Sequence, residues 1–211
     1  MDGTAFGGFY MACVWFARFA FLNVLWLLFS LAGLVIGGIF PATAALFAVE
    51  RSWIRKEESP SLIRQFWREY RAQFVKANML GYLMVLFGGL LWVNVKLMFP
   101  LDYLVIGVLK VLLLGLFFLF VIVLLYLFPV MVHFKGGILD CVKNALFVGL
   151  SSPLMTVMSG LGILVVTYSC YKIPGLSVFF YVSGAGFLSM WFSHCAFLRL
   201  EGKAKAGGLD G

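Results

Sequence analysis

The chain has 211 residues, of which 63% are hydrophobic and only 12% charged, with a mean hydropathy of +1.03. Soluble domains run at about half apolar and about a quarter charged, and a soluble core of this size could not hide so much apolar surface. The composition therefore excludes a soluble globular protein and makes a bilayer the solvent for most of the chain.

The net charge of +7 sits in a few segments between hydrophobic runs. That pattern reads as membrane topology and contact with anionic lipid, not as a nucleic-acid surface. Residues 1–13 are nearly uncharged and lack the basic start and small-residue cleavage site of a signal peptide, so the N-terminal hydrophobic run reads as retained. Arg18 interrupts an apolar helical pattern that begins near Phe9. The first span is expected at residues 19–40, with Pro41 ending it. Proline removes a backbone donor and disfavours helix at Phe40, but it suits the first turn of a new helix. Residues 42–56 therefore read as a separate short helix, a cytoplasmic elbow that carries Arg51, Trp53 and Arg55 to the membrane surface.

The segment 50–77 is the most charged and is expected to be cytoplasmic. Ser59-Pro60 has the form of a helix start, serine as cap and proline at the first position. On the helix that follows, Leu62, Ile63, Phe66, Trp67, Tyr70 and Phe74 fall within an arc of about 140° at 100° per residue. Arg64, Arg68 and Arg71 lie on the other side, the pattern of a helix lying in the membrane interface. A second span is expected at 79–99, an external turn at Pro100-Leu101-Asp102, and a third span at 103–128 ended by Pro129. After Gly136-Gly137, residues 138–150 read as a second short amphipathic cytoplasmic helix. Ser151-Ser152-Pro153 starts a fourth span at 154–171. Pro174-Gly175 is an external turn, and a fifth span at 176–198 leads to a mobile tail at 199–211. The fold class is thus an all-α membrane protein, a single domain of about five spans. Lysine and arginine placement puts the 50–77 segment, Lys135, Lys143 and the tail inside, with the N-terminus outside and the C-terminus cytoplasmic; an N-terminus inside requires residues 9–56 to cross twice or to re-enter at Pro41.

Ionisable or strongly polar residues within spans are functional candidates by default. Asn23, Asn94 and Lys110 are the three here, as packing groups or as the lining of a cavity. For Asn23 the favoured role is an interhelical hydrogen bond. The candidate interaction surface is Arg51, Trp53, Arg55, Arg64, Trp67, Arg68 and Arg71. His133 and His194 have no partner at metal-ligand spacing, and Cys13, Cys141, Cys170 and Cys195 are isolated, so neither a metal, a disulfide nor a cofactor is expected. No hydrolase, phosphate-binding or dinucleotide motif occurs, and no acidic residue falls in the middle of an expected span, which argues against an enzyme. Gly33 and Gly37 form a GxxxG pair suited to close helix packing. The 138–150 helix resembles in position the coupling helix of ABC permeases but lacks its signature.

Three runs carry a family resemblance: LNVLWLLFSLAG (22–33), FPATAALFAVERSWIRKEE (40–58) and FWREYRAQFVKANMLGY (66–82). Together they resemble the YesL-type family of bacterial integral membrane proteins, a domain of unknown function. The resemblance covers about the first 80 residues well; the later spans match in hydrophobicity and in Phe128-Pro129. Members typically lie beside carbohydrate ABC importers and polysaccharide-degrading enzymes in Gram-positive bacteria. The resemblance therefore implies a non-enzymatic plasma-membrane accessory of oligosaccharide uptake or sensing, with an ABC permease or a sensor kinase as partner. The alternative is a small-solute transporter or channel acting as an oligomer. No site residues are carried over from the family.

Overall fold

One glycine-directed reversal and one buried short helix determine how the spans meet. The computed structural model describes residues 3–57, 60–99, 104–134 and 136–207. Within them lie seven helices: α1 (Gly3–Ala32), α2 (Ile39–Ile54), α3 (Leu62–Met98), α4 (Leu104–His133), α5 (Ile138–Ser151), α6 (Pro153–Lys172) and α7 (Pro174–Gly207). The fold is all-helical, and α1, α3, α4, α6 and α7 are each long and apolar enough to cross a membrane.

The first break does not fall at Pro41. Helix α1 ends at Ala32, and the chain turns back over residues 33–38. Glycine makes that turn possible. A Cβ on Gly33 would run into the Gly38 backbone, and one on Gly38 would run into the Ser30 carbonyl. Leu34 and Val35 take φ of 57° and 64°, left-handed values that are costly for a β-branched residue. Non-helical backbone at membrane depth must find hydrogen-bond partners inside the protein. Two side chains one turn apart on α3 supply them: Tyr82 donates to the Ile36 carbonyl at 2.7 Å and Asn78 to the Gly37 carbonyl at 3.0 Å. Pro41 sits in the first turn of α2, where its missing N–H costs nothing.

Helix α2 is therefore not an elbow on the membrane surface. It runs antiparallel to α1, with Trp26 Nε1 donating to Thr43 Oγ1 at 3.0 Å and Trp53 packed edge-on against Trp15 and Phe19. Nine of its sixteen residues are buried, from Pro41 to Ser52. Its alanines at 42, 44 and 45 let α1, α3, α4 and α7 approach closely. Leu46 and Val49 join Leu22, Leu25, Phe66, Tyr70 and Met190 in one apolar cluster.

The interfacial helix expected at 60–77 and the span expected at 79–99 are one continuous helix, α3. It contains no breaker: its Gly81 is packed against the Phe40 ring, and Ser61 caps its start. Ser59 lies outside the described residues. Phe66 and Tyr70 are buried against Phe29, while Ile63, Trp67 and Phe74 stay exposed.

Helix α4 likewise runs past Pro129 to His133. The proline removes the donor that would reach the Leu125 carbonyl, and Ser189 Oγ on α7 donates to that carbonyl at 3.1 Å instead. Helix α5 forms as expected but is not an isolated interfacial element. Its Cys141, Ala145 and Val148 join the core of Tyr126, Leu127 and Val130, and its Gly149 packs on Ile122 and Tyr126. Asp140 accepts from the Gly137 amide at 2.8 Å to start it. Pro174-Gly175 opens α7 instead of forming the turn, and α7 continues through 199–207, where a mobile tail was expected. Pro100-Leu101-Asp102, Lys135 and residues 208–211 lie outside the described residues, as do the side chains of Lys203 and Lys205.

The hairpin of α1 and α2 has a consequence for the termini. Trp15 of α1 packs on Trp53 of α2; Arg51 of α2 donates to the Val132 carbonyl of α4 at 3.0 Å; His133 of α4 lies 3.7 Å from Glu201 of α7. The start of α1 and the end of α7 thus share one end of the bundle. An arrangement with the N-terminus and C-terminus on opposite sides requires α1 to run alone, without the returning α2.

Candidate functional site

The shared end gathers most of the basic residues. Arg51 is half-buried, its guanidinium tied to the α4 carbonyl by Nη1 while its Nε is buried without a partner. Trp53 is also used internally, in a ring cluster with Trp15 and Phe19 that Phe187 of α7 extends. These two residues hold helices together.

The other five expected surface residues are exposed. Arg55 pairs with Glu57 at 3.1 Å and Arg68 with Glu69 at 3.0 Å, both in contact with water. Arg64 and Arg71 are exposed on α3, and the Arg71 guanidinium lies 5.6 Å from the Trp67 ring centre, a cation–π contact. Trp67 stacks on Tyr70 and remains 46% exposed, enough to present a ring face outward. His133 and His194 face each other with ring centres 6.3 Å apart, and Glu201 lies 3.7 Å from His133. Among the described residues, no three His, Cys, Asp or Glu side chains are placed to hold a metal.

Asn23, Asn94 and Lys110 are not brought together. Asn23 is buried and bridges to α7, donating to the Val178 carbonyl at 2.6 Å and accepting from the Ser183 amide at 3.0 Å. It clamps two helices through backbone atoms. Asn94 is exposed and donates to the Leu90 carbonyl of its own helix. Lys110 lies over the Phe99 ring at 5.7 Å, in an apolar groove between α3 and α4 with Val95, Met98 and Leu114. These three residues line no common cavity.

One residue absent from the expected set stands out. Glu50 is 0% exposed, and neither carboxyl oxygen has a hydrogen-bond partner. It sits on α2 against Gly186 of α7, where a Cβ would approach its oxygens to 2.9 and 3.1 Å. Beside Arg51 and Arg55 in the sequence, Glu50 looks like the start of a solvated segment. The available signal was helical spacing: Glu50 follows Leu46 by four residues and Phe47 by three, on the apolar side of an alanine-rich helix.

Comparison with known proteins places these features in a family. Residues 19–95 match the family described as a protein of unknown function, DUF624. This stretch holds Asn23, the glycine turn, α2 and most of α3. YteU of Bacillus subtilis (strain 168), an uncharacterised protein, is 35% identical over 190 residues, covering 90% of this chain and 85% of its own. YesL of the same organism is 33% identical over 150 residues, 71% of this chain and 70% of its own. YesV, also uncharacterised, is 31% identical over 214 residues, 99% of this chain and all of its own. No solved structure matches significantly. The chain belongs to the DUF624, or YesL-type, family.

Proposed function

We infer that this is a non-enzymatic plasma-membrane protein that acts as an accessory factor, its working surface the exposed basic and aromatic end of the bundle. The observation that carries the reading is the division among the seven candidate residues. Arg51 and Trp53 are consumed in packing, while Arg55, Arg64, Trp67, Arg68 and Arg71 stand free of the core at one end. Basic residues concentrate on the cytoplasmic side of membrane proteins, so this end faces the cytoplasm. Because α1 and α2 form a hairpin, the start of α1 and the end of α7 lie on that same side, a revision of the outside N-terminus expected from five independent spans.

Arginine and tryptophan are the side chains most used as binding anchors, and the same face attracts anionic lipid headgroups. The partner class, an ABC permease for oligosaccharides or a sensor kinase, comes from the family resemblance. Support for a solute conduit is weaker, since Asn23, Asn94 and Lys110 are dispersed. Co-purification from bacterial membranes in mild detergent tests the reading. Recovery of a carbohydrate permease or sensor kinase with the wild type, lost on replacing Arg64, Trp67, Arg68 and Arg71 by alanine, supports it. Recovery of neither, or equal recovery with the quadruple variant, overturns it.

A further inference from the structure

We propose that Glu50 is a proton-binding site: its carboxyl is carried as the neutral acid where α2 packs on Gly186 of α7, and release of the proton unseats α2 from that contact. An ionisable group placed inside a membrane protein is costly to keep and is a functional candidate for that reason. Here the geometry is unusually bare. Both oxygens are buried, and neither meets a donor. The carboxyl rests on Gly186 of α7, where an added side chain would collide with it, and the same missing side chain leaves room for Leu46. Glycine at 186 is therefore what admits the acid.

The titratable and charged groups on the surrounding elements have contacts of their own, although Arg51 Nε and the Nδ1 atoms of His133 and His194 are buried without a partner. Arg18 of α1 lies over Trp15, and Glu69 of α3 pairs with Arg68. Tyr126 of α4 bonds Thr156, and His133 of α4 faces Glu201 and His194 of α7. On α2 itself Arg51 bonds the Val132 carbonyl, and just past its end Arg55 pairs with Glu57. Burial raises the pKa of the Glu50 carboxyl well above the ordinary glutamate value. An ionised carboxylate in that position would be a buried charge with neither counter-ion nor hydrogen bond, which this packing does not tolerate. The neutral form is the one that fits. Ionisation favours any movement that lets the carboxylate reach water or an arginine; Arg51 follows on the same helix and Arg55 just beyond its end.

An open groove lies beside the site. Gly186 lines an open groove of about 380 Å3 together with Phe47, Leu125, Phe128, Val182 and Ser189. One glycine therefore separates the acid from that groove. The ligand is a proton and nothing larger: among the described residues, no three His, Cys, Asp or Glu side chains are placed to hold a metal cation. The inference does not depend on the accessory role of the basic end, because Glu50 is not part of that surface.

The sign follows from linkage. A group carried neutral in the folded state contributes its full stabilisation at acid pH, and that contribution falls as pH rises through the point at which it ionises. Trp53, three residues beyond Glu50 and edge-on to Trp15, reports the position of α2.

The test uses the full chain in detergent micelles. Infrared absorption of protonated carboxyl groups is recorded at about pH 7, where an ordinary glutamate is ionised, for the wild type and for Glu50→Gln. The expected result is an absorption band in the wild type that Glu50→Gln lacks. Raising the pH toward about 10, near the limit set by tyrosine and lysine titration, should then change tryptophan fluorescence in the wild type and leave Glu50→Gln flat. Identical spectra, or identical pH responses, would overturn the proposal. Should Glu50→Gln fail to fold, the wild type alone still decides. An apolar carbodiimide, which adds to protonated carboxyls in apolar surroundings, should modify Glu50 by mass spectrometry, and less so as the pH rises. No adduct at Glu50, or an adduct independent of pH, would contradict the assignment.

Discussion

Replacing Asn23 by leucine removes a defined pair of contacts between α1 and α7 while keeping the side chain apolar and similar in size. The amide makes two hydrogen bonds to α7 backbone atoms, at 2.6 Å to the Val178 carbonyl and 3.0 Å from the Ser183 amide. Interhelical hydrogen bonds in membrane proteins contribute about 0.6 kcal/mol on average and up to about 1.7 kcal/mol each. Asn23 is 3% exposed, so water does not replace them. The two together come to about 1–3 kcal/mol, and each 1.4 kcal/mol is about tenfold in the folded-to-unfolded ratio. The assay is reversible unfolding in mixed micelles, titrated with a denaturing detergent and followed by tryptophan fluorescence. Thr167→Val is the control, because Thr167 is exposed and bonds only to Ile163 of its own helix; it should shift stability by no more than about 0.5 kcal/mol. If Asn23→Leu is as stable as the wild type, or more so, the clamp reading is wrong and Asn23 is kept for another reason.

Glycines give a second contrast. A Cβ at Gly149 would run into Ile122, with the Tyr126 ring behind, whereas Gly160 has open space around it. Gly149→Ala should therefore cost about 1–3 kcal/mol by overpacking, and Gly160→Ala should be neutral or slightly stabilising, both read in the same unfolding assay. Ser189→Ala should cost about 1 kcal/mol by orphaning the Leu125 carbonyl; in a Pro129→Ala background, where a backbone N–H can take that carbonyl, the penalty should largely vanish. Glu69→Gln should leave stability within about 0.5 kcal/mol, because the Arg68–Glu69 pair is exposed; a larger loss would show that the pair anchors α3.

What could be read from the chain alone was the solvent and the helices. Apolar runs long enough to cross a bilayer announce themselves, and the start of α6 follows from the fit of Pro153 to a first helical position, although Ser152 makes no side-chain cap. Most of the failures turn on a neighbour remote in sequence. Pro41 looked like the break because proline is the strongest local signal, yet proline is harmless in a first turn. The true reversal needs Gly33 against Gly38, with Asn78 and Tyr82 of α3 taking the freed carbonyls. Pro129 looked like a helix end, and Ser189, sixty residues on, makes it an interior residue. Phe74 to Met79 looked like a boundary because the charge ends there, although nothing interrupts the backbone. Glu50 was hidden twice over, by the arginines that follow it and by a glycine on α7. Asn23 was legible as a packing amide, but its acceptor and donor on α7 were not.

The central claim is that the α1–α2 hairpin returns the chain, so that the start of α1 and the end of α7 share the basic side. Single cysteines at Gly8, Ile173 and Gly202, in a chain whose own four cysteines are replaced, test it directly by labelling in sealed inverted and right-side-out vesicles. The hairpin predicts that Gly8→Cys and Gly202→Cys react from the cytoplasmic side and Ile173→Cys from the opposite side. Labelling of Gly8→Cys together with Ile173→Cys, opposite Gly202→Cys, would contradict it.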